Sequence, residues 1–405
     1  MRVQNKLLVD YYVGGLLHAL LKLPTLLLGK ILHRNHNLKS CSEITFLKMM
    51  GGGSIVIAYP TLLALKQAPQ VRSLRLVTTH TVKPFAEVLG VFDEIIVIRD
   101  GKLTCLIFDS LAALVKLFRC QVIVDLEVHS RLTTVFSLLT CAINRVGFFT
   151  NISIWRRNLA THLLFFNSNN PVHLFYDQIA RLFGTEPASF AKCIKEFRAH
   201  LRLTAPDRSL KRLALAPCCS DLAKTRMLTE EQWVEAIRRY ADGSRGLEID
   251  LVGGPADRAY LERLAGLIQE SFQDSTVKNF AGILSLQQSV RAVANAGQLL
   301  CVDSAMIHFA RLMGVPTLSF WGPTDPNLML RPSNARDQIH YKRLDCSPCI
   351  HMADHPPCGG KNVCMQLALE SMPNQRGAIA SLINLEVSVR NAPFVLTSVS
   401  SLQRE

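Results

Sequence analysis

The residues best suited to chemistry lie between Cys301 and Pro332, where an apolar strand gives way to a helix. The strand ends at Asp303, and Asp303 or Ser304 can cap the helix that starts there. The backbone amides of Ser304, Ala305 and Met306 then lie unpaired in the first turn, where they favour an anion such as a diphosphate. His308 follows within the same turns and can reach the same place. These residues predict a phosphate-binding helix start, a feature that many folds share.

The spacing around this helix start resembles a known family. The pattern D-S-A-x-x-H-x-A from residue 303, then G-V-P and W-G-P-T-x-P, is similar to the C-terminal signature of glycosyltransferase family 9. These are the lipopolysaccharide heptosyltransferases and their relatives, and the similarity runs through most of residues 43–370. It implies a GT-B fold, a nucleotide-diphosphate sugar donor such as ADP-heptose, and inverting transfer that requires no cofactor. One departure is Ala305, where the family usually has glycine, so that a methyl group is added beside the diphosphate.

The same resemblance implies roles for four residues on the donor side. Ser220 and Lys224 follow an Ala-Pro-Cys-Cys segment and correspond to the hydroxyl and the lysine that hold the donor phosphates. A lysine suits this task because its compact charge can neutralise a departing diphosphate. Asp257 follows a Gly-Gly-Pro turn and would bind the ribose hydroxyls, whereas Leu284 would pack against the base. Taken singly, Lys224 could equally be a solvated lysine and Asp257 a helix-start acid.

The acceptor side departs from the family pattern. Where the family has Gly-Asp with the presumed general base, this chain has Gly53-Ser54, and a serine hydroxyl needs a partner to act as a base. We expect Glu127, near the end of a central strand, to be the base, with Asp125 or His129 orienting it. Arg131 would bind an anionic group of the acceptor. The alternative is an ordinary polar cluster at a helix start.

Cysteines cluster near the C-terminus of the family-like region. Cys346, Cys349, Cys358 and Cys364 are separated by two, eight and five residues, with His351 and His355 between them. Such spacing could enclose a structural zinc ion, and free or redox-active thiols or a disulfide are the alternatives.

Short apolar runs alternate with amphipathic stretches along residues 43–143 and, after a less regular region with a charged helix near 189–203, again along 213–320, which is typical of two doubly wound α/β halves. The predicted strands are 44–48, 74–78, 95–99, 122–126, 213–216, 248–252, 277–280, 299–302 and 317–320, with a tight turn at Gly51 to Gly53. We predict an amphipathic segment (1–40), an acceptor-side domain (41–205), a nucleotide-sugar domain (206–370, including the Cys-rich segment 346–364) and a C-terminal helix and tail (371–405). Ligands of such folds bind at the carboxyl ends of the strands, which places the site in the cleft between the halves.

Residues 7–32 are strongly apolar but contain Asp10, His18, Lys22 and Lys30, and Pro24 should break a helix. A spanning helix needs about 20 predominantly apolar residues with few charges. The segment therefore predicts a pair of helices that lie on a membrane surface or pack on the domain core.

The composition narrows the class of protein. Apolar residues make up 49% of the 405 residues, charged residues 19%, and the net charge is +13, so the chain is globular and suits an anionic partner. Nucleotide phosphates, acidic glycolipids and membrane surfaces fit this charge, whereas no nucleic-acid-binding motif is present. We expect a protein of the cytoplasm or of the cytoplasmic face of the inner membrane. Besides the transferase, a nucleotide-sugar-binding protein without a base and a GT-B sugar epimerase remain open.

Overall fold

The computed structural model describes residues 3–32, 36–151, 153–204, 211–220, 224–241, 243–333, 336–350 and 356–373. Most of the expected C-terminal helix and tail, 374–405, lies outside these residues. His351 and His355 also lie outside them.

Within the described ranges, the strands form two six-stranded sheets in which every neighbouring pair is parallel. The first sheet has the order β3-β2-β1-β4-β5-β6 and consists of β1 (Glu43–Lys48), β2 (Ser73–Thr79), β3 (Glu94–Ile98), β4 (Val122–Asp125), β5 (Asn144–Phe149) and β6 (His162–Phe165). The second has the order β12-β11-β10-β7-β8-β9 and consists of β7 (Arg212–Ala216), β8 (Glu248–Leu251), β9 (Thr276–Asn279), β10 (Gln298–Val302), β11 (Thr317–Trp321) and β12 (Asp337–Tyr341). The strand order reverses between β1 and β4 and between β7 and β10, and ligands of such sheets bind at this reversal.

Helices accompany both sheets. With the first sheet go α1 (Val3–Leu32), α2 (Gly52–Ile57), α3 (Tyr59–Gln67), α4 (Lys83–Leu89), α5 (Leu103–Lys116), α6 (Arg131–Leu139), α7 (Val172–Leu182) and α8 (Phe190–His200). With the second go α9 (Glu230–Ala241), α10 (Arg258–Ser271), α11 (Leu286–Ala294), α12 (Ala305–Leu312), α13 (Pro326–Met329) and α14 (Val363–Glu370). The expected fold class, two doubly wound α/β units, is confirmed. The exact domain limits stay a prediction.

Three strands were not predicted from the sequence, and one predicted turn is wrong. β5, β6 and β12 carry polar or half-exposed residues, so they lack the apolar runs that mark the other strands. The predicted turn at Gly51 to Gly53 is mostly helix, because Gly51 alone has a left-handed φ of 76° and α2 begins at Gly52. Gly52 fits there because a methyl group at this position would lie 2.3 Å from the ring of Phe85.

The N-terminal segment is one helix, so the expected break at Pro24 is wrong. Pro24 lies within α1, where it removes only the hydrogen bond to the carbonyl of Leu20, and the Leu20 side chain is exposed to solvent. One residue further, the Thr25 hydroxyl donates to the Leu21 carbonyl at 2.7 Å. Residues Leu8–Leu28 are long and apolar enough to cross a membrane by length and composition, and only 6% of the most apolar window is buried.

The two sheets share one apolar core at the floor of the cleft. Phe85 on α4 and Phe197 on α8 stack on either side of Phe309 on α12, with ring centroids 6.2 and 6.0 Å apart. An ion pair adds to this contact, because both Arg331 side-chain termini bind the carboxylate of Asp177 on α7, with Nη1 3.0 Å from Oδ2. Asp177 is 4% exposed and Arg331 is 15% exposed, so the pair is largely shielded from water.

Replacing Arg331 by methionine should lower the free energy of unfolding by about 3 kcal/mol, because it leaves the buried Asp177 carboxylate unpaired. The double variant Arg331→Met with Asp177→Asn should recover part of that loss. Urea titration measures both, and Lys83→Met, which removes only an exposed pair with Glu87, is the control. An Arg331→Met protein as stable as the control would contradict a role of this pair in joining the two halves.

Candidate functional site

The start of α12 has the features of an anion site. β10 ends at Val302, Asp303 follows, and Ser304 occupies the N-cap position with an extended backbone. The Ser304 side chain does not cap the helix, and its Oγ is buried without a hydrogen-bond partner among the described residues. A buried hydroxyl without a partner is costly, and the amides of the first turn point the same way along the helix axis. A phosphate oxygen would satisfy both.

Arg226 supplies a positive charge at this helix start, and the sequence interpretation missed it. Its Nη1 donates to Asp303 Oδ2 at 3.1 Å, and its Nη2 lies 3.4 Å from Ser220 Oγ. The side chain belongs to the short 3₁₀ turn Lys224–Arg226, so the exposed Lys224 is brought to the same end of the sheet. The predicted residues Ser220, Lys224 and Asp303 thus come together around Arg226. Its position two residues after Lys224 is the signal that could have pointed to it.

His308 lies in the second turn of α12 and is buried. Burial lowers the pKa of His308 to about 4, while Asp303 opposes the shift and Arg311 and Arg226 add to it. The imidazole is therefore neutral at pH 7 and acts as a hydrogen-bonding group without charge.

The loops after β8 and β9 form the other end of the donor side. Asp257 Oδ2 accepts a hydrogen bond from the Gly254 amide at 2.8 Å, so part of the carboxylate holds its own turn. Gly282 has a φ of 69° and comes so near that a methyl group on it would lie 2.9 Å from Cα of Pro255. Leu284 lies two residues after Gly282, is half-buried and precedes α11. The predicted ribose and base residues therefore lie on adjoining loops.

Glu127 is a buried acid on the opposite side of the cleft. Its Oε1 accepts from the amides of Met49 and Met50 at 2.8 and 2.9 Å, and its Oε2 accepts from Lys48 Nζ at 3.1 Å. These bonds fix the loop between β1 and α2. Burial alone would lower the pKa of Lys48, but the charges of Glu127 and neighbouring groups outweigh it and raise the pKa, so Lys48 is charged.

Asp125 is hydrogen-bonded to the backbone of the segment that carries Glu127. Its Oδ1 accepts from the Glu127 amide at 3.0 Å, and its Oδ2 accepts from Thr133 Oγ1 at 2.9 Å and from Arg156 Nη2 at 3.1 Å. Burial raises the pKa of Asp125 to about 6, and the charge of Arg156 opposes the shift. Arg156 also donates to the carbonyls of Glu127 and Ser130, so this buried arginine, which the sequence interpretation missed, holds the whole loop.

Ser54 lies beside this acid cluster. A hydrogen bond joins it to the buried phenol of Tyr176, which also interacts with the charges of Lys48 and Glu127. The position of the family's acid is therefore occupied by a hydroxyl, with the Glu127 carboxylate in the same network. Arg131 has another partner, because its Nη1 donates to the Tyr11 carbonyl at 3.0 Å and its guanidinium covers the Tyr11 ring at 4.6 Å. His129 is exposed next to these residues.

Comparison with known proteins gives a consistent result for the second half of the chain. Residues 175–358 match the family model described as glycosyltransferase family 9 (heptosyltransferase). Residues 175–358 of this chain are therefore similar to glycosyltransferase family 9, and we call this range the family 9 domain. Lipopolysaccharide heptosyltransferase 1 of Pseudomonas aeruginosa PAO1 is 32% identical over 127 residues, which are 31% of this chain and about a third (33%) of that relative.

Solved structures extend the likeness of fold to most of the chain. The glycosyltransferase family 9 structure from Veillonella parvula DSM 2008 has a TM-score of 0.61 and 16% identity, and the match covers 87% of this chain and 100% of that one. E. coli heptosyltransferase WaaC with ADP has a TM-score of 0.59 and 16% identity, covering 85% and 99%. The GT-B fold implied by the sequence resemblance is thus confirmed. The family 9 domain includes the anion site but not the acid cluster around Glu127.

The Cys-rich segment lies at the end of the family 9 domain. Cys346, Cys349, Cys358 and Cys364 line one cavity of about 20 Å³, and all four thiols are free. Amides of Asn362, Gly360 and Lys361 lower the pKa of Cys358, whereas burial raises the pKa of Cys364 to about 11. Among the described residues, no group of three or more His, Cys, Asp or Glu side chains is arranged to hold a metal ion, so structural zinc gains no support from the structure.

Burial of the His308 imidazole in the family 9 domain predicts that the stability of the protein depends on pH. Because the pKa of His308 is about 4 in the folded protein and near 6.5 when unfolded, the unfolded chain binds the proton first. Stability should be complete above about pH 6.5 and fall by roughly 1–3 kcal/mol as the pH drops towards 4. His308→Gln should remove this part of the loss, measured as urea midpoints at pH 7.5 and pH 5. Parallel pH profiles of the variant and the parent protein would show that His308 is not shielded from solvent.

Proposed function

We propose that this protein is an inverting glycosyltransferase that moves a heptose or similar sugar from a nucleotide-diphosphate donor to a lipopolysaccharide-type or other envelope glycan. The observation that carries the proposal is the start of α12, where the unpartnered Ser304 hydroxyl lies at a helix N-terminus beside Arg226 and Asp303. The family 9 match includes this site. The solved relative with ADP supports a donor of the ADP-heptose class.

In this mechanism the donor diphosphate binds at the start of α12. The amides of Ser304, Ala305 and Met306 and the Ser304 hydroxyl donate hydrogen bonds to its oxygens, and Arg226 and Lys224 neutralise the charge that grows on it. Such fixed donors and charges stabilise a leaving group because they need no rearrangement during the reaction. Asp303 keeps Arg226 in place, and the neutral His308 adds no competing charge. Asp257 and Leu284 would bind the ribose and the base.

Glu127 would be the general base. The acceptor hydroxyl oxygen forms a bond to the anomeric carbon, its proton passes to the Glu127 carboxylate, and the bond from that carbon to the diphosphate oxygen breaks. A carboxylate has about four acceptor positions, and the three bonds to Met49, Met50 and Lys48 leave one of them for the substrate. The Lys48 ammonium, 3.1 Å from Oε2, compensates the charge of the carboxylate. Asp125 and Arg156 act as positioning residues, because they hold the Glu127 backbone.

The proposed acceptor site lies beside the first sheet. Ser54 would contact the acceptor next to Glu127. The Arg131 guanidinium donates to the Tyr11 carbonyl of α1, so an anionic group of the acceptor would bind Arg131 only beside α1. The anionic acceptor, the absence of any required cofactor and the setting at the cytoplasmic face of the inner membrane belong to the same proposal.

Donor binding is testable with nucleoside diphosphates alone. ADP should raise the melting temperature of the protein more than UDP or GDP do, since only ligands of the folded form stabilise it. Arg226→Met and Ser304→Ala should each weaken ADP binding about tenfold or more, because each removes a bond to a charged oxygen. Arg263→Met removes the same charge from the surface of α10 and serves as the matched control. Equal ADP affinities in all three variants would refute the site.

The base assignment needs turnover. Glu127→Gln should lower kcat by about 10²–10⁴ while ADP affinity stays unchanged, since general-base catalysis contributes about that much. Glu43→Gln, at the exposed start of β1, is the control. If Glu127→Gln turns over normally, the base lies elsewhere. A parent protein that binds but never turns over any donor would favour a nucleotide-sugar-binding protein, and release of an epimer or free sugar without acceptor would favour an epimerase.

A further inference from the structure

Helix α1 turns an apolar surface towards solvent. Ten of its large apolar side chains are 47–71% exposed: Leu8, Tyr11, Tyr12, Val13, Leu16, Leu20, Leu23, Leu27, Leu28 and Ile31. A helix that is merely packed on a domain core buries these residues. Such a large exposed apolar surface indicates a partner that covers it.

Helix α5 repeats this feature on the same domain. Its inner side, at Ala113 and Leu117, packs into the core beneath the first sheet. Its outer side carries Leu103, Ile107, Phe108, Leu111 and Val115, which are 50–79% exposed, and Phe118 follows the helix at 61%. The spacing of three and four residues places them along one face of the helix.

Helix α6 brings α1 and α5 to the same side of the first sheet. Phe136 on α6 shares the core cluster of Ala113 and Leu117, and α1 crosses the start of α6. The crossing is close, because a methyl group on Gly14 would lie 2.8 Å from Cβ of Arg131. We call the exposed apolar residues of α1 and α5, with Phe118, the α1–α5 surface.

We propose that the α1–α5 surface docks on an anionic lipid bilayer, with both helices lying in the interface plane. The distribution of charged residues on and around the two helices favours an anionic bilayer as the partner. The only acidic residue of each helix is turned to the protein, because Asp10 accepts from the amides of Arg131 and Leu132 at 2.9 Å and Asp109 binds Arg99. The basic residues that lie within or beside these helices are Lys22, Lys102, Lys116 and Arg119, of which Lys116 pairs with Glu94, and the excess of positive charge suits acidic headgroups.

The contacts of α1 favour lying on the bilayer over crossing it. Asp10 caps the start of α6, and His18 Nε2 lies 2.6 Å from the Trp155 carbonyl, so the polar side of α1 is fastened to the domain. A spanning helix would give up these bonds and carry Asp10, His18 and Lys22 into hydrocarbon. A second copy of the chain is disfavoured as the partner, because the basic residues around its own α1–α5 surface would repel those of the first copy.

The docking places the membrane beside the acceptor side of the cleft. Asp10 holds the start of α6, and the segment between β4 and α6 carries Glu127. An acceptor anchored in the bilayer would then present its sugar next to Glu127. This consequence rests on the proposed function, whereas the docking itself does not.

Vesicle flotation with the full chain tests the docking without donor or acceptor. The protein should bind vesicles of phosphatidylcholine with 30% phosphatidylglycerol at least tenfold more tightly than vesicles of phosphatidylcholine alone, and less tightly in 0.5 M salt. The double variant Phe108→Ser with Val115→Ser, and separately Leu16→Ser with Leu20→Ser, should each weaken binding at least tenfold. Ile339→Ser, an exposed apolar residue of β12, should not change it.

Three outcomes would overturn the proposal. Vesicle binding could be absent or unchanged in both double variants. The protein could be a dimer in light scattering that these substitutions dissociate, which would assign the surface to a second copy. Resistance to carbonate extraction would indicate a spanning α1. ADP binding and sugar transfer to a soluble acceptor are measured separately, so failure of the docking is distinguishable from failure of the proposed function.

Discussion

The close approach of α2 and α12 is the constraint on which the rest of the structure depends. A methyl group on Gly53 would lie 3.5 Å from Cα and Cβ of Ala305, so the first turns of the two helices face each other across the cleft. This contact brings the anion site of one sheet to the acid cluster of the other. Ala305 lies in the first turn of α12, where the family usually has glycine, and its methyl group fills the space at this contact.

Buried charges on the two sides of the cleft are arranged in opposite ways. On the donor side Arg226 is held by Asp303 and lies at the positive end of α12, so the site favours an added anion. On the acceptor side Lys48 and Arg156 compensate Glu127 and Asp125, which would otherwise be costly to bury as carboxylates. The division agrees with a leaving diphosphate on one side and a proton acceptor on the other. It also explains how the chain could use a base although Ser54 replaces the family's acid.

Much of the fold was predictable because parallel strands buried on both faces leave continuous apolar runs, as in β1, β7 and β10. The helix start at Ser304 was predictable for a similar reason, since a strand end followed by a capping residue is a local pattern. Lys48, Arg156 and Arg226 were not recognised, because each acquires its role from partners far away in sequence, up to 79 residues for the bond from Lys48 to Glu127. The continuity of α1 through Pro24 was missed for the opposite reason, because a local rule was applied where an exposed helix tolerates the lost bond.

Binding of a nucleoside diphosphate at the start of α12 can be measured by hydrogen–deuterium exchange of the full chain with and without ADP, because bound oxygens protect the amides that hold them. We expect slower exchange in peptides covering 303–309 and 224–228, and no change in peptides from α5. Unchanged exchange at 303–309 under saturating ADP, with protection elsewhere, would contradict it.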